Sequence, residues 1–215
     1  MSETGVAMVK LALLDEELKP TIPAASANSS ASRITSALLS CVGRWGLKKT
    51  TMEDVAKEAG VSRATVYRLF PGGMNSIMQA AVLGEIQELL AVLTVQLERV
   101  DRVEDCVTLA IHHASQFLDQ HRALAFMRDH ERAMLEQLIS FERLDVLFIT
   151  AAQVMRPVLG RFMAEAEAFA VGMWVSRLVV SYLTEPSTEF DLCKEEDARR
   201  LVQIFVLPGI HLWPS

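Results

Sequence analysis

The sequence predicts an all-α protein in which a small N-terminal three-helix module is followed by a larger helical body. From Arg33 onward, Val, Ile and Leu recur at three- and four-residue steps and do not alternate with polar residues. Hydrophobic residues make up 51% of the chain and charged residues 22%, which is typical of a folded protein with a sizeable core. Glycine and proline separate several of the periodic segments, at Gly43, Gly46, Gly60, 71–73 and Pro186.

Nine helices are expected from residue 33 onward. Before them, residues 1–20 are compatible with a short amphipathic helix, and a linker rich in Pro, Ala and Ser follows to residue 32. Pro157 lies late in its segment and is expected to kink or end that helix. The expected helices cover residues 33–44, 51–58, 62–69, 74–100, 103–119, 121–139, 142–159, 161–184 and 194–206. The predicted parts are an N-terminal extension and linker (1–32), a helix-turn-helix module (33–74) and a body (75–215).

Charge is distributed unevenly along the chain. The net charge is −6, which argues against a protein that coats nucleic acid with its whole surface. Residues 33–74 nevertheless contain seven Lys or Arg and three Asp or Glu, so their net charge is +4 and the remainder sums to −10. A basic module on an acidic body concentrates the attraction for phosphate groups at one end of the molecule.

The positions of the cysteines and histidines argue against a disulfide and a metal site, and the N-terminal residues argue against a signal peptide. Cys41, Cys106 and Cys193 are scattered, odd in number and lack C-x-x-C spacing, which is typical of reduced thiols. The histidines, including His121 and His130, lack the spacing of metal ligands. We find no N-terminal cleavage pattern, nucleophile–base pair, phosphate loop or cofactor fingerprint. A cytoplasmic protein with no metal, no cofactor and no enzymatic activity is therefore expected.

One apolar stretch raises the question of a membrane-spanning helix. Residues 166–183 are apolar except for Ser176, Arg177, Ser181 and Tyr182. This length is at the short limit for spanning a bilayer, and an Arg inside costs about 2.5–3.5 kcal/mol to insert. A helix buried on two faces within a bundle has the same composition. We favour the buried helix and expect no membrane association.

The run 50–70 carries the clearest local signals. Thr51 and Asp54 have the spacing of a capping pair at the start of a helix. Gly60 suits the positive φ of a tight turn, and Ser62 is a good N-cap for a second short helix. Two short helices joined by such a turn form a helix-turn-helix.

The second of these helices, residues 63–70, is expected to have two distinct faces. Its inward-facing residues are Val66, Leu69 and Phe70. The outer face offers what a helix in the DNA major groove needs, namely a guanidinium group, small or hydroxyl side chains and phosphate donors. Those outer residues are Arg63, Ala64, Thr65, Tyr67 and Arg68. The first helix is expected to offer Thr50, Thr51 and its N-terminal amide groups to phosphate.

Three segments between residues 33 and 77 share a recognisable pattern. An apolar helix at 34–46 precedes T-T-M-E-D-V-A at 50–56, and A-G-V-S-R-A-T-V-Y-R-L-F follows at 59–70. In this combination, and above all in A-G-V-S, T-V-Y and the closing Phe70, the chain resembles the DNA-binding region of TetR-family regulators. The remainder of the chain agrees with that family only in length and helical character.

The resemblance implies roles for individual residues. It implies base or groove contact by Arg63, Ala64, Thr65 and Tyr67, and phosphate contact by Thr51, Ser62, Tyr67 and Arg68. In members of the family, a Ser-Lys pair usually follows the closing Phe and one further residue, and its lysine binds a phosphate. Here Met74 stands at the position of the lysine, while the exposed amides of Gly72 and Gly73 can still bind phosphate at the helix end.

The resemblance also implies a dimer. One module contacts only a few base pairs, so specificity usually needs two copies on a symmetric site. In the family the last two long helices pair with their counterparts as a four-helix bundle; the alternative is that both helices line the core of the monomer. The expected interface residues are Ala164, Ala168, Val171, Val175, Leu178, Tyr182, Leu201, Ile204 and Phe205.

Methionine and aromatic residues between positions 103 and 174 suit an adaptable apolar cavity, and they suit an ordinary core equally well. The resemblance favours a pocket for a lipid-like, drug-like or otherwise hydrophobic effector, with His130 and Gln153 as polar contacts. The other candidate lining residues are Phe117, Phe126, Met127, Met134, Phe148, Met155, Phe169, Met173 and Trp174.

The leading hypothesis is a homodimeric repressor that a small, largely apolar effector releases from a palindromic operator in double-stranded DNA. The effector must prefer one spacing of the two modules, because a ligand with equal affinity for both states shifts nothing. The alternative is a DNA-binding interaction protein of the same fold without a small-molecule effector. The expectation of repression rather than activation rests only on what is usual in the family.

Overall fold

The computed structural model describes residues 29–138 and 141–211, and within these ranges the chain consists of helices and connecting loops without a strand. The all-α fold class is thereby confirmed. The predictions for residues 1–28 lie outside the described residues. The helices are α1 (Ser30–Trp45), α2 (Met52–Glu58), α3 (Arg63–Leu69), α4 (Gly73–Leu97), α5 (Val103–Gln120), α6 (Arg122–His130), α7 (Arg132–Leu138), α8 (Phe141–Leu159), α9 (Glu165–Thr184), α10 (Glu195–Leu201) and α11 (Leu207–His211), with a π-helical segment, Val202–Val206, between the last two.

The single helix predicted over 121–139 is wrong, because the structure divides it into α6 and α7 at Glu131. This residue leaves helical geometry, with φ −133° and ψ 41°. Its amide still closes the last turn of α6 by donating to the Met127 carbonyl at 2.8 Å. Neither glycine nor proline marks this break, and the contacts of the Glu131 side chain described below account for it.

The region between α8 and α9 also differs from the prediction. Pro157 lies in the last turn of α8, which ends at Leu159, as expected. The next helix begins at Glu165 rather than at 161, since Arg161 belongs to the connecting loop. The Arg161 guanidinium donates to the carbonyls of Leu97 and Glu98 at 2.7 and 2.6 Å. It thus supplies a positive charge and hydrogen bonds to the C-terminal end of α4, where helix carbonyls lack partners.

Two hydrophobic clusters hold the helices together. The N-terminal cluster is built mainly from α1 to α3 and the start of α4, and the body cluster from α4, α5, α8, α9 and the C-terminal segments. Helix α4 contributes to both, through Ile77 at one end and Leu97 at the other. Ala123, Met127 and Leu135 from α6 and α7 complete the N-terminal cluster. The apolar core therefore crosses the boundary predicted after residue 74.

Helices α4 and α9 are each long and apolar enough to cross a membrane by length and composition. In the bundle, part of this apolar surface lies in the body cluster, for example Leu93 of α4 and Ala168 of α9. Other residues of the same helices, such as Ile86 and Val175, line an internal cavity. These two uses account for part of the apolar surface of residues 166–183, of which 22% of the most apolar window is buried in the fold.

Candidate DNA-contacting surface and internal cavity

Helix α2 begins with the predicted capping pair, which the structure confirms. The Asp54 amide donates to the Thr51 hydroxyl oxygen at 3.2 Å, and the Thr51 amide donates to the Asp54 carboxylate at 2.9 Å. Hydrogen bonds from the Thr51 hydroxyl and amide lower the pKa of the Asp54 carboxyl, because they favour its charged form. The start of α2 is therefore held firmly in place, with Thr51 exposed at its tip.

The turn between α2 and α3 has the predicted geometry. Gly60 adopts a φ of +64°, a conformation that residues with a Cβ rarely accept. Ser62 caps α3, since its hydroxyl oxygen accepts the Thr65 amide at 3.1 Å. The Ser62 hydroxyl also lies 2.9 Å from that of Thr65. These local bonds set the direction in which α3 leaves the turn.

Helix α3 has a buried and an exposed face as predicted, except that Thr65, expected on the outer face, is half-buried. Val66 is fully buried and Phe70 is 8% exposed, both within the N-terminal cluster. Tyr67 is 41% exposed, and the Arg63 guanidinium lies 5.5 Å from the centre of its ring. We call the solvent-exposed residues at the start and along the outer side of this helix the α3 surface: Ser62, Arg63, Ala64, Tyr67 and Arg68.

Several exposed cations near α3 lie outside salt-bridge distance of any acidic group that the structure describes. Within the described residues, Lys48, Lys49, Lys57, Arg63 and Arg68 form no ion pair. In the body, by contrast, several arginines are neutralised, with distances of 2.9 Å for Arg128–Asp119 and 3.0 Å for Arg177–Asp145. Unpaired positive charge is what attraction to the phosphates of nucleic acid requires.

Two residues expected at the DNA are used within the fold instead. Thr50 is 7% exposed, and its hydroxyl donates to the Gly46 carbonyl at 2.7 Å, so this side chain is not presented to phosphate. The Gly73 amide donates to the Phe70 carbonyl at 2.9 Å and is not free either. Met74 is half-buried against the N-terminal cluster, which suits an apolar side chain better than the usual lysine.

A buried carboxylate joins the body to the helix-turn-helix module. Glu131, between α6 and α7, is 7% exposed. Its two carboxylate oxygens accept the backbone amides of Leu47 and Lys48 at 2.8 and 3.1 Å. Both amides belong to the loop between α1 and α2, just before the capped tip of α2. We call this contact the Glu131 link.

Gly46 makes the Glu131 link possible. Its φ is +88°, and a Cβ at this position would lie 2.6 Å from the Phe126 ring and 2.7 Å from the Glu131 carboxylate. Only glycine therefore fits where the loop approaches α6. The close approach and the two hydrogen bonds place the loop tightly against the body.

An apolar cavity of about 210 Å³ lies between α1, α4, α5, α6, α8 and α9. An apolar cavity of roughly 150 Å³ already holds benzene. Leu39 and Val42 from α1 form part of the wall, so the cavity borders the helix-turn-helix module directly. Polar residues in the lining are Glu85, His121 and Ser176; the rest is aliphatic or aromatic except for Gly172.

Two of the polar lining residues, Glu85 and His121, form a hydrogen bond with each other. His121 Nδ1 accepts the Leu124 amide at 3.4 Å and so caps α6, which leaves the ring proton on Nε2. That nitrogen lies 3.3 Å from the Glu85 carboxylate and donates to it. The pair ties α4 to the start of α6. Sequence reasoning missed it, although the spacing of Val82, Glu85 and Leu89 is that of one helix face.

The structure brings only three of the predicted pocket residues to the cavity: Phe117, Met127 and Met155. Phe126 stacks on His130 with ring centres 4.6 Å apart, and Met134 packs against the N-terminal cluster. Trp174 is 43% exposed, and Phe148 is buried beneath the Arg177 guanidinium, 4.7 Å from it. The remaining positions, Phe169, Met173 and the exposed Gln153, do not line the cavity.

The residues predicted for the dimer interface divide into three groups. Ala168, Val171 and Leu201 are buried in the body cluster of the chain itself, as the monomer-core alternative proposed. Val175 lines the cavity, while Leu178 and Tyr182 are half-buried against the body cluster. The exposed members are Ala164, Ile204 and Phe205, of which the last two are 48% and 58% exposed.

Comparison with known families and proteins gives matches to the N-terminal part of the chain. Residues 34–81 match the model of the family described as bacterial regulatory proteins, tetR family. The chain is also 41% identical over 58 residues to an uncharacterized HTH-type transcriptional regulator of Mycobacterium tuberculosis. This match covers 27% of the chain and 30% of that relative. The family model thus covers the segment that contains most of α1, all of α2 and α3 and the start of α4.

Solved structures resemble the whole described fold. The TetR family repressor AlkX from Dietzia sp., implicated in biodegradation of n-alkanes, has a TM-score of 0.70 at 20% identity, covering 87% of this chain and 98% of its own. The fatty acid degradation regulator FadR from Bacillus halodurans has a TM-score of 0.56 at 14% identity, covering 85% and 99%. At these identities the similarity shows a shared fold, with a helix-turn-helix on a helical body.

The Glu131 link generates a prediction. Glu131→Ala leaves the Leu47 and Lys48 amides without their partner, so the free energy of unfolding is expected to fall by about 1–3 kcal/mol. Hydrogen exchange of these two amides should become faster. Glu136→Ala is the control, because that side chain is 61% exposed and its ion pair with Arg132 contributes little to stability. Unchanged protection of both amides in Glu131→Ala would show that the link does not hold the loop.

Proposed function

We propose that the chain is a member of the tetR family of bacterial regulatory proteins, whose model residues 34–81 match, and that it acts as a cytoplasmic homodimeric transcriptional repressor that a small apolar effector releases from a palindromic DNA operator. The α3 surface is the part that reads the operator. The apolar cavity is the part that takes the effector.

The α3 surface has the chemistry of a recognition helix. Arg63 can donate two parallel hydrogen bonds to a guanine edge, and Ala64 allows close approach to the groove. Tyr67 and Arg68, together with the tip of α2 at Thr51, contact phosphates on either side. Because phosphate contacts release counterions, binding must weaken steeply as the salt concentration rises.

The position of the cavity is the observation that supports effector release. The same space is lined by Leu39 and Val42 of α1 and by body residues such as Val179. A ligand that fills it therefore contacts the helix-turn-helix module and the body at once. If the ligand prefers a different placement of α1 or α6, the Glu131 link transmits that change to the loop before α2. Such a preference is what shifts the equilibrium between states.

The lining favours an apolar effector. Its polar side chains, Glu85 and His121, pair with each other, and the Ser176 hydroxyl donates to the Met173 carbonyl at 3.0 Å. Little hydrogen-bonding capacity therefore remains inside the cavity. The solved relatives concerned with n-alkane biodegradation and fatty acid degradation have the same fold, which agrees with a hydrocarbon-like ligand.

Dimerisation uses exposed apolar residues of α9 and of the C-terminal end of the chain. Trp174 of α9 is 43% exposed, and Ile204 and Phe205 at the C-terminal end are 48% and 58% exposed. Large apolar side chains of this kind mark an interaction surface when they recur on neighbouring elements. A second copy of the chain covers them, and the two modules then read two half-sites.

DNA recognition is testable on duplexes selected from a random pool with the full-length protein. Arg63→Ala is expected to weaken binding to the selected sequence by about five- to a hundredfold and to relax preference at one base pair. Arg68→Ala should weaken binding to all sequences and reduce the slope of log affinity against log salt by about 1. Arg156→Ala, an exposed arginine on α8, is the control. Wild-type affinity and sequence preference in Arg63→Ala would refute the assignment of the α3 surface.

The dimer is testable by light scattering on the purified protein. The wild type is expected to have the mass of two chains, while Trp174→Glu and Phe205→Glu should shift it toward one chain, because a carboxylate would be buried without a partner. Val95→Glu, at a 60% exposed position on α4, should leave the mass unchanged. Dissociation by Val95→Glu alone would place the interface on α4 instead.

A further inference from the structure

A second cleft of about 260 Å³ adjoins the apolar cavity. It lies between α5, α6, α9 and the loop 186–193. Leu118, Val179 and Leu183 line both the cleft and the apolar cavity, so the two spaces share these side chains as part of their walls. Unlike the cavity, the cleft has several polar lining residues: Ser115, Asp119, Arg128, Tyr182, Ser187, Asp191 and Cys193.

One of these polar groups lacks a partner. The Ser115 hydroxyl is buried and has no hydrogen-bond partner among the residues that the structure describes. By contrast, the Ser187 hydroxyl oxygen accepts the amides of Glu189 and Phe190 at 3.0 and 3.3 Å. A buried hydroxyl without a partner is costly. Its position in the lining of a cleft points to a bound group that supplies the missing hydrogen bond.

The charged side chains in the cleft are already paired. Arg128 donates to Asp119 at 2.9 Å, and its Nε lies 3.5 Å from Asp129. Asp191 accepts the Cys193 amide at 3.1 Å and lies 3.4 Å from the Lys194 ammonium group. An incoming carboxylate would meet Asp119 and Asp191, and an incoming ammonium would find these two carboxylates already paired with Arg128 and Lys194. A neutral group with hydrogen-bonding capacity fits this environment best.

The far wall of the cleft is fixed to the body. A His112 ring nitrogen lies 3.3 Å from the Leu192 carbonyl, and the Gln116 side-chain amide donates to the Cys193 carbonyl at 3.4 Å. Both side chains belong to α5, the helix that also carries Ser115. The loop is thus held at a set distance from the unpartnered hydroxyl, as a preformed site requires.

We propose that the cleft binds the polar end of the effector, whose hydrocarbon part occupies the apolar cavity. The effector is then a neutral amphiphile, with a hydroxyl or amide group at one end that hydrogen-bonds to Ser115. The hydrocarbon part passes between Leu118 and Leu183. This inference rests on the proposed function, because it names the class of ligand that the effector site takes.

Four ligands with the same hydrocarbon chain separate the possible head groups: decane, decanol, decanoate and decyltrimethylammonium. Binding to the DNA-free full-length protein is measured by displacement of the apolar fluorophore N-phenylnaphthylamine. Decanol is expected to bind about five- to tenfold more tightly than decane. In Ser115→Ala this preference should disappear while the affinity for decane is kept. Ser181→Ala, the same change at an exposed position of α9, should keep the preference.

The outcomes separate the inference from the proposed function. Equal affinity for decanol and decane, tighter binding of either charged ligand, or an unchanged preference in Ser115→Ala overturns the inference and leaves an apolar effector standing. Displacement by none of the four ligands overturns both. Release of DNA is measured separately; tight, Ser115-dependent binding of decanol without any change in DNA affinity supports the inference and contradicts effector-controlled repression.

Discussion

The placement of the helix-turn-helix module depends on one carboxylate. Glu131 accepts two backbone amides of the loop that precedes α2, and the same residue interrupts the helical path between α6 and α7. Gly46 leaves room for the contact, since any side chain there would collide with Phe126 and Glu131. A buried charge is tolerated only when hydrogen bonds compensate it. The loop and the body are therefore coupled, and movement of either one costs both bonds.

This coupling gives the apolar cavity a route to the DNA-contacting surface. Met127 lines the cavity one helical turn before Glu131, and Leu39 lines it from α1. The cavity thus lies between the two elements that the Glu131 link holds together. In our account a ligand inside changes the separation of α1 and α6, and the capped start of α2 moves with the loop. In the same account the second cleft takes the polar end of a neutral amphiphile.

Local chemistry made the helix-turn-helix predictable from sequence. The Thr51–Asp54 pair, the turn at Gly60 and the cap at Ser62 each depend on residues within a few positions, and the structure shows all three. The break at Glu131 was not predictable, because its partners lie more than eighty residues away in the chain. Thr50 was assigned to phosphate for a different reason: its hydroxyl bonds to the Gly46 carbonyl only four residues earlier, but this bond depends on how the loop folds back against the end of α1.

The cavity lining and the dimer surface were not predictable from sequence for a different reason. Aliphatic residues such as Ile86 and Val180 have the helical spacing of a core, and only the packing of whole helices decides whether they meet other side chains or empty space. The expected stripe on α9 likewise turned inward at Ala168 and Val171, leaving Trp174 outside. Periodicity identifies an apolar face, whereas its partner depends on the arrangement of neighbouring helices.

The central claim is that occupancy of the cavity weakens DNA binding through the Glu131 link. The most direct measurement is the affinity for the selected operator with and without a saturating cavity ligand, in the wild type and in Glu131→Gln. Our account predicts that the ligand weakens wild-type binding by about five- to 150-fold, the usual range of allosteric coupling, and that Glu131→Gln, which loses one of the two amide bonds, shows a smaller effect. Equal operator affinity of the free and ligand-saturated wild type would contradict it.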